Sequence, residues 1–107
     1  MIDKFQAQNN NDEQGNPAGG HVLGVGLRID WQNGPLSIDG VCKEQTGAFV
    51  ETVIAAALQR IEYYQASKFA CRENALVITK LEEALHWCNA RNNRREKQGV
   101  EGTHKGN

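Results

Sequence analysis

Apolar and polar residues alternate through "HVLGVGLRIDWQNGPLSIDG", where Val25, Leu27, Ile29 and Trp31 are separated by Gly26, Arg28 and Asp30. A period of two sends successive side chains to opposite faces, which predicts a half-buried strand. "NGP" after Trp31 is a turn signal, and Leu36 to Ile38 is expected to start a return strand. From Thr46 the period changes. In "TGAFVETVIAAALQRIEYYQ", Val50, Val53, Ile54, Ala57, Ile61 and Tyr64 recur at threes and fours, predicting an amphipathic helix capped by Thr46 or Gly47. "ASKFAC" breaks the pattern. A second, longer helix is expected in "RENALVITKLEEALHWCNARNNRREKQ", with Gly99 as its stop. Two helices joined by so short a connection pack as an antiparallel hairpin.

Residues 1–20, with "QAQNNNDEQGNPAGG", hold few groups to bury and are expected to form a flexible arm. The remainder, 21–107, is expected to be a single α+β domain. Its parts are a β portion with a short antiparallel β-hairpin (21–45), a two-helix hairpin (46–99) and a C-terminal tail (100–107). Such a core is thin. Val77, Leu81, Ala84 and Cys88 make one stripe on the second helix, and Leu76, Leu85 and Trp87 widen it beyond what one partner helix covers. A homo-oligomer is therefore expected to bury the rest.

Counting by alternating fours and threes continues the stripe from Cys88 into Arg91 and Arg95, with Asn74 one step before Val77. Two readings of these arginines stand side by side. Cations near a helix C-terminus complement its dipole and are solvated. Alternatively, arginines on the seam face a partner copy. Asn74 and Arg91 lie about 25 Å apart along a helix rising 1.5 Å per residue. Tyr64, ending the first helix, lies near the bend and hence near Asn74. One small molecule cannot touch both ends of one hairpin, but it reaches both where two hairpins pack antiparallel. An aromatic face, an amide and two forked cations suit a nucleotide with its base, ribose and pyrophosphate. The tail "QGVEGTHKG" offers backbone N–H groups at its glycines and donors at Thr103, His104 and Lys105, or is simply a frayed terminus.

Charge narrows the partners. The 107 residues carry a net charge of −1, which disfavours non-specific nucleic-acid binding. Residues 1–66 have four basic and eight acidic side chains, and residues 91–107 have five and two. An acidic body with a basic end suits a compact anion or a second copy better than a long polyanion. Three cysteines (Cys42, Cys71, Cys88), no signal peptide and no membrane-spanning apolar run fit a reducing cytoplasm. Although His21, His86 and His104 accompany the cysteines, no CxxC or HxxxH spacing supports a metal. Gly24-Val25-Gly26 lacks a third glycine and a βαβ setting, so no dinucleotide fingerprint is present. Adjacent Glu82 and Glu83 point about 100° apart and form no acid–base pair. Cys71 or Cys88 with His86 lacks an orienting third group. No enzyme and no cofactor are expected.

"CRENALVITKLEEALHWCNAR", followed by "RREKQGVEGTHK", resembles the hairpin domain of phage proteins that sequester bacterial immune signals, the Thoeris anti-defence 1 family above all. The anti-CBASS sponges are more distant relatives. The resemblance runs from about Gly47 to Lys105, and "GLRIDWQNGPL" with "GAFVE" is similar to the family's β portion. It implies a non-enzymatic sponge for glycocyclic ADP-ribose, the signal of TIR-domain sensors, kept from activating the defence effector. Members assemble from dimers into hexamers, and some hold cyclic di- or trinucleotides at separate sites. Implied ligand contacts are the aromatic ending the first helix (Tyr64), the Asn of "REN" (Asn74) and the two arginines after the Trp (Arg91 and Arg95). Gly102, Thr103 and His104 of the tail are expected as further ligand contacts on their own donors, not from the resemblance. Tyr64 stands where some members have Phe; stacking survives, and the added hydroxyl can tune ligand preference. Asn92 and Asn93 replace a Thr-rich run and are expected to face outward. The competing expectation is a protein–protein interaction module whose helical hairpin takes no small molecule.

Overall fold

The computed structural model describes residues 4–38 and 41–98. The chain divides into two compact units, one running up to Phe49 and the other beginning at Val50. The architecture is α+β, as the change of period implies.

In the first unit, β1 (Phe5–Asn11), β2 (Pro17–Gly24) and β3 (Leu27–Trp31) form an antiparallel sheet in the order β1-β2-β3. The expected strand around Val25 thus begins two residues later. Val25 and Gly26 make the β2–β3 turn, Gly26 at φ 74° and Val25 fully exposed. Apolar alternation continues unbroken through that turn, which hides it from the pattern.

The segment expected as the return strand pairs elsewhere. β4 (Ser37–Ile38) and β5 (Val41–Cys42) make a separate two-stranded sheet. The outer side of β3 is taken instead by residues 46–48. Ala48 N–H donates to the Asp30 carbonyl at 2.8 Å, and Gln32 N–H donates to the Ala48 carbonyl at 3.0 Å. Gln32 Oε1 accepts from the backbone N–H groups of Thr46 (2.8 Å) and Gly47 (3.2 Å), while Thr46 Oγ1 accepts from Asn33 N–H at 3.1 Å. A Cβ on Gly47 would lie 2.5 Å from the carbonyl oxygens of Asp30 and Trp31, so only glycine fits there. These bonds commit Thr46 and Gly47 to the sheet, and neither caps the helix, which starts at Val50.

Residues 1–20, expected as a flexible arm, contain β1 and the start of β2. Every residue of β1 is exposed. The strand is held by its ladder to β2 and by a turn in which Asp12 Oδ1 accepts from the N–H groups of Gln14 and Asn16, each at 2.9 Å. Gly20, at φ 136°, lets the Gln8 carbonyl of β1 pass where a Cβ would sit. Backbone pairing replaces burial here, and hydrophobic pattern carries no trace of it.

In the second unit, α1 (Val50–Gln65) and α2 (Arg72–Lys97) form the helical hairpin. The half-buried seam of α1 is Glu51, Ile54, Leu58, Ile61 and Gln65. That of α2 is Asn74, Ile78, Leu81, Leu85, Cys88 and Asn92, ending at Arg95. Both repeat at alternating threes and fours, the spacing of a packed helix pair. The expected stripes hold at Val53, Ile54 and Ile61 of α1 and at Leu81, Ala84, Cys88 and Arg95 of α2, and fail elsewhere. Val50, Tyr64 and Val77 are exposed, and Asn92, expected outward, is half-buried. Polar residues occupy the seam ends, and a stripe drawn through apolar positions does not mark them. No apolar side chain among the described residues is buried; the one buried side chain is Arg95, at 5% exposure.

Candidate functional site: the two ends of the helical hairpin

Sequence places Ser67, Phe69 and Cys71 in the connection, and their hydrogen bonds tie Tyr64 to Asn74. Ser67 Oγ donates to the Tyr64 carbonyl at 2.6 Å and accepts from Phe69 N–H at 3.1 Å. The Phe69 carbonyl then accepts from Asn74 Nδ2 at 3.3 Å. Cys71 is the N-cap of α2, in extended backbone (φ −157°), with its sulfur accepting from Asn74 N–H at 3.4 Å. Gln65 pairs with both backbone groups of Cys71. The bend is therefore fixed at every turn of the chain, and Tyr64 and Asn74 are held at one end of the hairpin.

Tyr64 is 36% exposed, and its ring centroid lies 6.0 Å from that of Tyr63. Arg60, which apolar patterning passes over, packs on both rings: its guanidinium carbon lies 4.8 Å from the Tyr64 centroid and 5.1 Å from that of Tyr63. Arg60 Nε donates to the Tyr64 hydroxyl at 3.1 Å. The signal was present in "RIEYY", because side chains three and four residues apart meet on a helix.

Arg91 and Arg95 occupy the other end of α2, about 25 Å and about 31 Å from Asn74 at the helical rise. They do not share an environment. Arg91 is exposed, whereas Arg95 continues the seam of Leu81 and Cys88 and is buried. Arg94, Arg95 and Lys97 fill the last turn, where cations complement the helix dipole. Within one chain, an aromatic, an amide and Arg60 thus stand at the bend, with the basic cluster a helix length away. Gly102, Thr103 and His104 lie outside the described residues. No group of three His, Cys, Asp or Glu side chains able to hold a metal ion occurs among the described residues. No described helix is long and apolar enough to cross a membrane.

The chain is 49% identical over 76 residues to Thoeris anti-defense 1 of Bacillus phage SBSphiJ7. The match covers 71% of this chain and 51% of the relative, so the chain spans about half the length of the curated protein it matches. The family described as Acb2/Tad1, hairpin domain, matches residues 24–92. That span includes β3, the whole of α1, the bend, and α2 as far as Asn92, and with them Tyr64, Asn74 and Arg91. With well over half of its residues inside that match, the chain belongs to the Acb2/Tad1 hairpin-domain family.

Proposed function

We propose that the chain is a phage or prophage anti-Thoeris sponge. It binds a TIR-derived cyclic ADP-ribose signal, glycocyclic ADP-ribose, and withholds it from the defence effector without degrading it. The observation carrying this is the 49% identity to a phage Thoeris anti-defence protein across a stretch of 76 residues. The proposed contacts are Tyr64 as a stacking face, Asn74 as an amide, the exposed Arg91 as a forked cation for a pyrophosphate, and Arg95 one turn on, which is buried in the single chain. Because those halves sit at opposite ends of α2, the complete site is shared by two antiparallel copies, each contributing one end. The exposed Leu76, Val77 and Trp87 supply apolar surface for that second copy, and dimers build to a hexamer. Sequestration takes place in the host bacterial cytoplasm, where the signal is made. Cyclic di- and trinucleotides, the CBASS signals, are further ligands at separate positions.

A thermal-shift panel of cyclic ADP-ribose isomers, cyclic dinucleotides and cyclic trinucleotides tests this. Glycocyclic ADP-ribose is expected to raise the melting temperature, and heating is expected to release it chemically unchanged. A ligand recovered in hydrolysed form, or no shift with any cyclic nucleotide, rejects the sponge.

A further inference from the structure

Tyr64 and Asn74 bring a ring and an amide to the bend end of the hairpin but no charge; Arg60 brings one. It lies one turn before Tyr64, so helical geometry sets Tyr63 at i+3 and Tyr64 at i+4 beneath its guanidinium. Two ordinary roles for such an arginine are excluded. Among the described residues Arg60 makes no ion pair. It also lies outside the last turn of α1, which holds no basic residue, so it is not placed to complement the helix dipole. What orients it is the Tyr64 hydroxyl, which takes its Nε–H at 3.1 Å. An arginine has five N–H donors in a rigid fork, and this bond uses one of them.

We propose that Arg60 is a ligand-contacting residue that sets specificity at the Tyr64 half of the site. Its guanidinium covers one face of the Tyr64 ring and leaves the other for a base. Its remaining donors meet a phosphate of the same ligand. The cation lies 4.8 Å from the ring centroid, so the arrangement selects an anion folded back on itself, with phosphate and base close together around the ring. An extended nucleotide would place its phosphates beyond reach. The hydroxyl of Tyr64 has a role here that phenylalanine cannot fill: it aims Arg60.

The proposal rests on the sponge reading, and the test separates the two. Affinity for glycocyclic ADP-ribose is measured by calorimetry for the unmodified protein, Arg60→Gln, Arg60→Lys and Tyr64→Phe, with the melting temperature of each variant recorded without ligand. Arg60→Gln is expected to weaken binding about tenfold or more, since a charge-assisted bond to phosphate is lost. Its unliganded melting temperature is expected to stay put, because the side chain is exposed. Arg60→Lys is expected to recover part of the affinity through charge alone, and Tyr64→Phe to lose affinity about threefold as Arg60 is released. An unmodified protein that binds while Arg60→Gln binds within twofold of it overturns the role of Arg60 alone. An unmodified protein that binds no cyclic ADP-ribose isomer overturns the sponge and the role of Arg60 together.

Discussion

Gln65 holds Cys71 by both polar groups of its backbone: Oε1 accepts from the Cys71 N–H and Nε2 donates to the Cys71 carbonyl, each at 3.0 Å. One carboxamide thereby ties the last residue of α1 to the N-cap of α2. It sets the angle at which the helices meet and the spacing of Tyr64 and Asn74.

Replacing Gln65 by Ala removes both bonds and strips two backbone groups of their partner. The expected cost is about 1–2 kcal/mol, read from denaturant unfolding. Gln65→Glu keeps one acceptor but turns its other oxygen toward the Cys71 carbonyl, and is expected to be no better than Ala.

The two arginines of α2 are expected to separate stability from binding. Arg91 is exposed, so Arg91→Ala should leave the fold within about 0.5 kcal/mol of the unmodified protein while weakening the ligand. Arg95 is buried on the seam, so Arg95→Ala should cost about 1–3 kcal/mol before any ligand is added. Thermal unfolding with and without glycocyclic ADP-ribose reads both. Equal unliganded stability of the two variants would contradict the seam position of Arg95.

Two glycines of the sheet are expected to respond differently to alanine. At Gly20 the new Cβ meets the Gln8 carbonyl of β1, and the backbone stands at φ 136°. Detachment of β1 is expected, with a loss above about 3 kcal/mol. At Gly26 the φ of 74° is strained for alanine, but nothing lies within 4 Å of the added carbon, so the cost is about 1–2 kcal/mol. Amide hydrogen exchange across β1 distinguishes a detached strand from a strained turn.

Arg28 and Asp30 form an exposed pair on β3, with Nε to Oδ2 at 3.0 Å and Nη2 to Oδ1 at 3.2 Å. The hydrogen bonds from Arg28 hold the Asp30 carboxyl below its ordinary value against an opposing desolvation, and the nearby charges of Arg28 and His21 pull it further the same way. A carboxyl depressed in the folded state stabilises the fold above its unfolded pKa, and that contribution disappears as pH falls through the lower folded value. Arg28→Gln is expected to move the Asp30 titration upward, followed by side-chain carboxyl chemical shifts. Stability at neutral pH is expected to change little, because solvent screens an exposed pair.

The sequence makes the helices legible and their buried faces legible in part, for a physical reason. Apolar spacing marks α1 and α2 and finds Leu81, Ala84 and Cys88, but Glu51, Gln65 and Asn92 are half-buried polar positions that apolar spacing does not mark. β1 is illegible by that method, since "FQAQNNN" buries nothing and is held by its neighbour's backbone. At the candidate site, Tyr64, Asn74, Arg91 and Arg95 are proposed from helical spacing together with the family resemblance. Arg60 escaped because its meaning depends on the two tyrosines one turn ahead, a relation that apolar patterning does not score.

Every described apolar side chain is left partly in solvent, and in the proposed dimer folding and self-association would be one equilibrium. The proposed site divided between copies would then form in proportion to the square of the chain's concentration while the protein is scarce. Capacity to soak up a signal would consequently rise as a threshold in dose: negligible while few copies have been made, and steep once chains begin to meet. In an infected cell, the timing and strength of expression would matter as much as the affinity of any single site.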